Sequence, residues 1–560
     1  MAEMILPGVY IEVRDEGLIA PGQVTVGNLG VVGTAAKGPI GKPVILGSFT
    51  DALQSFYNYD PWGDGTGDKL TLTRALEQAF DHGATTVFAV RVAGASKSKA
   101  TYTLTSATGN AAVLTAKSEG TWGNDLSVNV AALEAADDFP FISGEKHDGN
   151  AAGTLTYHPV VKNARNRISL HVDSTGITKS LKILYDGDPA PAAGEVRITR
   201  AGGTLEFGDA LQAADKVTAS YVVDKTIAVK VTLKFGNVKE VFTAVDGINL
   251  AANIGTDDIN SQSAWVFAAQ GTKPAELPSK SVPDGAFAQF KGGDDGAGGA
   301  DYEAGLAVLL NEEAHIIVAA GQDDSFGAKL DLHCQVASGD TIKHDRIAVV
   351  GSKLNASVDD LRGHTLDSDR VIFVAPGIRA TDRAATPPVE VTLPGAYAAA
   401  AVAGLVASFP AHISLTNKPL GVDGLEQRFT SAELTQLVQN RVLALEQRQG
   451  FRVVRGITTA LTDPAFSQIT TRRIVDFAKS SVRSGANPYL GRLNNVRVRA
   501  ALKSTLDSAL KQMLDDEMLV AFTVEVTATR AEEIKGIARV TITLQPTFSI
   551  DFIKVTMFLQ

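Results

Sequence analysis

The side chains best suited to chemistry in this 560-residue chain are His315, His333, Cys334 and His344, its one concentration of imidazole and thiol groups. Such groups hold zinc when closely spaced pairs converge on one point; this spacing matches no zinc motif, so structural roles are expected. Asp294 and Asp295, in the run KGGDDGAGG, could offer oxygens to calcium, but the ligand positions of an EF-hand loop are missing and the residues that follow read as a helix. A solvated acidic loop is the expectation. Gly27, Gly30 and Gly33 are spaced GxxGxxG rather than GxGxxG, and the chain has no GxxxxGK[ST] loop, so they read as turn glycines. There is no GxSxG elbow, and no Ser/His/Asp set or carboxylate pair stands out. The residues therefore assign no catalytic role, metal or cofactor, and the chain is read as something other than an enzyme.

Charge is the stronger signal. From Gln447 to Gln512 there are nine Arg and three Lys against three Asp, a balance of plus nine. The whole chain has 52 Lys+Arg and 62 Asp+Glu, minus ten, so everything outside that segment sums to minus nineteen. Such asymmetry predicts one basic face meeting an acidic partner. The basic residues are not interleaved with stacking aromatics and the full chain is acidic, which argues against direct contact with nucleic acid.

The elements that must carry this face can be read in order. Val9, Ile11 and Val13 alternate between Pro7 and Pro21, which predicts an extended arm over residues 1–22; an edge strand of its own domain is the alternative. Asn28–Thr34, a helix over Ser48–Tyr57, an amphipathic helix over Lys69–His82 and a buried strand over Thr86–Val92 give an α/β arrangement. Short Ile/Val runs at Ala314–Ala320, Arg346–Gly351 and Arg370–Ala375, separated by helical stretches, read as a largely parallel sheet. The uncharged run Val391–Ala411 is long enough to span a bilayer, but Pro394 interrupts it and Ala dominates; it reads as a buried helix over Gly395–Ser408 that lets neighbours approach closely. Residues 137–225 hold short strands separated by Gly, Pro and Asp turns, which predicts an inserted, outward-facing β-sandwich with no sugar- or metal-specific constellation. A helix over Pro464–Arg483 would place Arg472, Asp476, Lys479 and Arg483 along one exposed stripe. Three alternating runs close the chain: Val520–Val526, Val540–Leu544 and Phe548–Phe552. The last needs a sheet to join, either in its own domain or in a neighbouring subunit. The N-terminal segment has no basic and apolar leader pattern, so secretion by that route is not expected.

The order of HISLTNKPLGVDGLEQRFT (His412–Thr430), RVVRGITT (Arg452–Thr459), ITTRRIVDFAKSSVR (Ile469–Arg483) and the closing strands resembles the C-terminal domain of contractile-tail sheath proteins. That family includes the sheaths of phage tails and of related injection systems. PGVYIEV near the start, GTWGN at 120–124, the GGDDG loop and LPGAYAAAAVAGLVAS extend the likeness to most of the chain outside 137–225. The resemblance implies an α/β sheath core over 23–136 and 226–418, the first part also beginning a β-rich subdomain. It further implies an inner α+β domain over 419–545 and a C-terminal arm strand over 546–560. It implies that Val9, Ile11 and Val13 at one end, and Phe548, Ile550 and Phe552 at the other, exchange strands with neighbouring copies. Arg472, Lys479 and Arg483 become candidates to face an acidic inner tube. The implied assembly is a stack of rings, hexameric in the family, around an inner tail tube protein and between baseplate and tail terminator proteins. It would sit in a virion tail, or in a bacterial cytoplasm as part of an injection system, with no insertion into a membrane. A static shell or surface-layer protein, and an α/β enzyme with an accessory sandwich, are the alternatives.

Overall fold

The computed structural model describes residues 27–63, 70–149 and 153–558. Val9, Ile11 and Val13 lie outside the described residues. The chain divides into two compact units, 1–95 with 297–560, and 96–296.

In the first unit an eight-stranded sheet runs in the order Pro43–Leu46, Val87–Arg91, Leu29–Gly33, Ile316–Asp323, Ile347–Gly351, Val371–Ala375, Val442–Gln447, Phe451–Val453. The six strands between its two edge strands pair in parallel, in register such as Val31 with Val318 and Val349 with Ile372. Several are buried along their whole length, which is why they read as continuous Ile/Val runs rather than as alternations. The helix Gly395–Ser408 forms over the residues expected and is buried over most of its length against one face of the sheet. Small residues in the helix and in the sheet beneath it permit this: a Cβ on Gly404 of the helix would stand 2.2 Å from the Ala79 carbonyl oxygen, and one on Gly351 of the strand Ile347–Gly351 would stand 1.8 Å from the Gly395 carbonyl oxygen. No helix among the described residues is long and apolar enough to cross a membrane. The expected inner domain starts too early at 419, because Val442–Gln447 pairs with Val371–Ala375 and so belongs to the large sheet. The separate C-terminal core begins with the helix Ile469–Ala486, which packs with the helix Val496–Asp515 and the hairpin Leu519–Thr527/Arg539–Pro546 around Ile474, Leu506, Leu510 and Met513.

The second unit holds sheets of six, four and three strands. The six-stranded sheet spans Phe141–Val222 and has its own core, including Ile168, Val196, Val217 and Tyr221. It is not the two-sheet sandwich expected. One strand, Ile177–Tyr185, joins its two parts: Ile177–Leu181 pairs antiparallel with Ile168–Val172, and Lys182–Tyr185 pairs in parallel with Glu195–Ile198. Short strands and turns alone do not distinguish this from a sandwich. Trp122, in the turn Thr121–Asp125, is buried edge-on to Phe235 at 5.6 Å. Beside it the acidic loop is not free in solvent. Asn124 exchanges hydrogen bonds with the Gly293 backbone at 3.0 and 2.9 Å, and the Asp295 carboxylate accepts from the Thr121 amide at 2.7 Å and hydroxyl at 2.8 Å. Two motifs 169 residues apart thus form one joint.

Candidate assembly and partner surfaces

In a doubly wound sheet the place for a ligand is the crevice at the carboxyl ends of the strands where the winding reverses, here between Leu29–Gly33 and Ile316–Asp323. Side chains fill it. Thr34 and Thr71 exchange backbone-to-hydroxyl hydrogen bonds at 3.2 and 3.1 Å, the Thr71 hydroxyl meets the Tyr302 hydroxyl at 2.9 Å, and Tyr302 donates to the Ala320 carbonyl at 3.0 Å. A Cβ on Gly33 would stand 2.9 Å from three atoms of this plug. The glycine is there for close packing, with no room left for a pyrophosphate.

The imidazole and thiol groups are likewise absorbed by packing. Cys334 is fully buried, and burial pushes its thiol up to about 12. Arg346 donates to His333 Nε2 at 3.2 Å and to the Leu309 and Glu312 carbonyls at 2.8 and 2.9 Å, so His333 acts as an acceptor and is neutral. Burial first, and Arg346 second, lower His333 to about 4 and His315 likewise. Among the described residues no group of three or more His, Cys, Asp or Glu side chains could hold a metal ion.

The basic stripe of the helix Ile469–Ala486 is turned to carboxylates of its own unit, with Arg472 buried and Lys479 and Arg483 half-buried. Arg472 is 7% exposed and its guanidinium bonds Asp369 and Asp476, each at 2.8 Å. Arg370, from the end of a core strand, grips Asp476 through two bonds of 2.8 and 3.0 Å and lies 3.5 Å from Asp345. Burial works against its charge, but Asp476, Asp369 and Asp345 outweigh it and raise the Arg370 pKa. Lys479 and Arg483 both bind the Asp345 carboxylate. On the same helix, buried Arg473 donates to the Phe409 and Pro410 carbonyls at 2.9 and 3.3 Å, and desolvation lowers it to about 10. The exposed stripe is therefore corrected. Spacing by three and four put these residues on one face as expected, but that face meets Asp345, Asp369 and Arg370, whose proximity no local pattern encodes.

Two other surfaces remain open. After Pro546 no third strand forms: residues 547–558 pair with no strand among those described. The main tie is Asp551, which accepts from Arg455 at 2.7 Å, Thr416 at 3.0 Å and Gln468 at 3.2 Å; the Thr547 amide donates to the Met518 carbonyl at 3.0 Å, the Ser549 amide to Gln468 at 3.4 Å, and Arg455 lies over the Phe552 ring at 5.3 Å. On either side Phe548, Ile550, Phe552, Ile553, Val555, Met557 and Phe558 stand exposed, Ile553 at 83% and Phe558 at 87%. The second surface joins the loop Leu490–Asn495 to the turn Arg530–Ile537, linked by Asn494 donating to the Ile537 carbonyl at 2.9 Å. It exposes Leu490, Leu493, Val496, Ile534 and Ile537 among Arg492, Arg497, Arg530 and Lys535. Sequence reasoning missed it, although Leu and Arg residues with no helical apolar stripe at 490–499 were a usable signal.

Residues 295–459 match the family described as phage tail sheath protein central domain, and residues 462–560 match phage tail sheath C-terminal domain. A tail sheath protein of Staphylococcus phage Twort is 26% identical over 228 residues, covering 38% of this chain and 37% of that protein. The chain therefore aligns with little more than a third of the curated relative's length. The crystal structure of a sheath tail protein from Desulfitobacterium hafniense superposes with a TM-score of 0.56 at 15% identity, covering 96% of this chain and 100% of that one. One from Listeria innocua gives 0.55 at 14%, covering 95% and 97%. At such identities these two show a shared fold. The chain is thus similar to phage tail sheath proteins in its two matched domains and shares the fold of sheath tail proteins over most of its length.

Proposed function

We propose that this chain is the repeating subunit of a contractile sheath: copies stack as helical rings around an inner tube, between baseplate and terminator proteins, and shortening drives the tube through an envelope. The observation that carries the reading is the segment 547–558, anchored at Asp551 yet leaving seven large apolar side chains in water. At ~25 cal/mol per Å² of apolar surface covered, only another protein surface relieves this exposure. Strand addition to a neighbour's hairpin Leu519–Thr527/Arg539–Pro546 is the natural fit, since only its inner edges are paired among the described residues. The N-terminal arm with Val9, Ile11 and Val13 is proposed to add a second such link. Shortening needs no nucleotide hydrolysis when the extended lattice is assembled above its energy minimum.

Contact with the tube through Arg472, Lys479 and Arg483 would require breaking their carboxylate pairs, so we assign these residues to holding the helix in place. The acidic partner is assigned instead to the apolar and basic surface around Leu493, Val496 and Arg492. Negative-stain electron microscopy of the purified protein at high concentration tests the assembly reading. Hollow tubules wider than a tail tube support it, whereas discrete particles at every concentration, also after adding an inner-tube protein, refute it.

A further inference from the structure

The strand Ile177–Tyr185 changes partner after Leu181, so Arg167, which pairs with Ser220 on its other side, has no strand partner on this side and the six-stranded sheet opens. The opening is a cleft of about 560 Å³, lined by Lys162, Asn163, Arg167, Ser180, Ile183 and Tyr185. We propose that this cleft binds an acidic polysaccharide, a hydroxyl-rich chain carrying carboxylate or phosphate groups.

Charge is the first support. Residues 137–225 hold ten Lys+Arg and twelve Asp+Glu, minus two, yet 161–182 holds five Lys+Arg and one Asp, plus four, leaving minus six for the remainder. Pairing is the second. Four other cations of this sheet hold carboxylates: Lys182 holds Glu195, Arg197 holds Glu206, Arg200 holds Asp186 and Lys216 holds Asp148, whereas Lys146 and Lys179 stand exposed without one among the described residues. Lys162 and Arg167, which line the cleft, and Arg165 nearby in sequence have no carboxylate partner among the described residues. Lys162 lies over the Tyr185 ring at 5.3 Å, Arg165 over Phe141 at 4.4 Å, and Arg167 donates only to the Ala164 and Asn166 carbonyls.

Preorganisation is the third. Asn166, almost wholly buried, donates to the Tyr185 hydroxyl at 3.0 Å and to the Val161 carbonyl at 2.9 Å while accepting from the Val222 amide at 2.9 Å. The Tyr185 oxygen is thus fixed as an acceptor toward Asn166, and its own proton is left to donate into the cleft. Two cations suited to an anionic group, with a fixed hydroxyl donor and the Ser180 hydroxyl beside them, match the mixed chemistry of an acidic sugar. A nucleic acid fits less well, because the cleft's one aromatic ring is already covered by Lys162 and offers no face for base stacking.

The test is biolayer interferometry with the full chain at low salt, using alginate for the carboxylate arm, a poly(glycerol phosphate) teichoic acid for the phosphate arm, and neutral dextran and oligo(dT) as comparisons. Binding is expected to one or both acidic polymers and not to dextran, the preferred arm identifying the acid. K162A/R167A should weaken it by roughly tenfold or more. Y185F, which keeps the ring and removes the donor, should weaken it several-fold, whereas K146A outside the cleft should change little. Equal melting temperatures exclude unfolding as the cause. Absence of binding to either acidic polymer, binding to dextran, tighter binding of oligo(dT), or an equal loss in K146A would each overturn the proposal. The proposal does not depend on sheath assembly.

Discussion

Replacing Asp345 by Asn keeps the shape of the side chain and removes the charge that Lys479, Arg483 and Arg370 share. The Asp345 side chain is 4% exposed, so water cannot take its place. Breaking a buried ion pair by removing one partner typically costs about 3–5 kcal/mol. Here Lys479 and Arg483 are 35% and 26% exposed and regain some hydration, while Arg370 retains two bonds to Asp476, which lowers the expectation to about 2–3 kcal/mol. The cost should fall on the docking of the helix Ile469–Ala486, because that helix supplies two of the three orphaned cations. Hydrogen exchange by mass spectrometry on D345N should show amides of that helix opening roughly 30- to 160-fold more readily, with strand Val371–Ala375 changed less. D359N, at a carboxylate on the surface, serves as the control and should stay within about 0.5 kcal/mol of the parent. If the helix exchanges as in the parent, the network is ornamental and the assignment of Arg472, Lys479 and Arg483 to internal docking fails.

Three further outcomes are expected. His333 is held neutral, its pKa lowered from 6.5 to about 4, so its contribution is complete above the unfolded value and is lost as pH falls from 6.5 toward 4; at pH 5 this amounts to about 2 kcal/mol. H333Q should therefore lose less melting temperature than the parent between pH 7 and pH 5, and parallel losses would contradict it. G404A should lower the melting temperature of the first unit or abolish soluble expression, because the new Cβ would meet the Ala79 carbonyl oxygen and helix Gly395–Ser408 would have to move; an unchanged melt would show that helix to be loosely packed. Removal of residues 1–20 should leave folded subunits that form no tubules, and normal tubules in electron micrographs would dismiss the N-terminal arm.

The large sheet was legible because parallel strands buried on both faces leave uninterrupted Ile and Val runs, as at Ile347–Gly351 and Val371–Ala375. The helix Gly395–Ser408 was legible for a related reason: Ala and Gly without charge over fourteen residues fit close packing and little else. Besides the form of the 137–225 sheet and the inner-domain boundary, what failed was a matter of what a correctly drawn face touches. Arg472, Lys479 and Arg483 share a face, but Asp345 and Asp369 lie more than a hundred residues earlier in the chain and no period connects them. Phe548–Phe552 alternates like a strand and pairs with none, because alternation reports a preference for two-sided surroundings and a single copy does not supply them. The tie between Asn124 and Gly293 was hidden in the same way, as two recognisable motifs with no stated relation.

These failures have a common direction that bears on assembly. The basic helix spends its charges inside its own subunit, through six carboxylate contacts that Arg472, Lys479, Arg483 and Arg370 make with Asp345, Asp369 and Asp476. Such a network fixes the helix to the sheet as one body, and contacts of that kind resist small rotations because their geometry is tight. The apolar residues of 547–558 do the opposite: Asp551 pins the segment, Arg455 lies over the Phe552 ring at 5.3 Å, and Ile553, Val555, Met557 and Phe558 stand exposed. In the sheath proposed above, a subunit rigid within and unsatisfied at a tethered segment would turn as a unit while staying linked to its neighbours. If instead the tail folded onto its own subunit, substituting Ile553, Val555 and Phe558 by Ser would lower the melting temperature of dilute subunits. With a tail that serves neighbours, the same triple variant leaves that melt unchanged and raises the concentration needed for tubules, and a light-scattering titration separates the two.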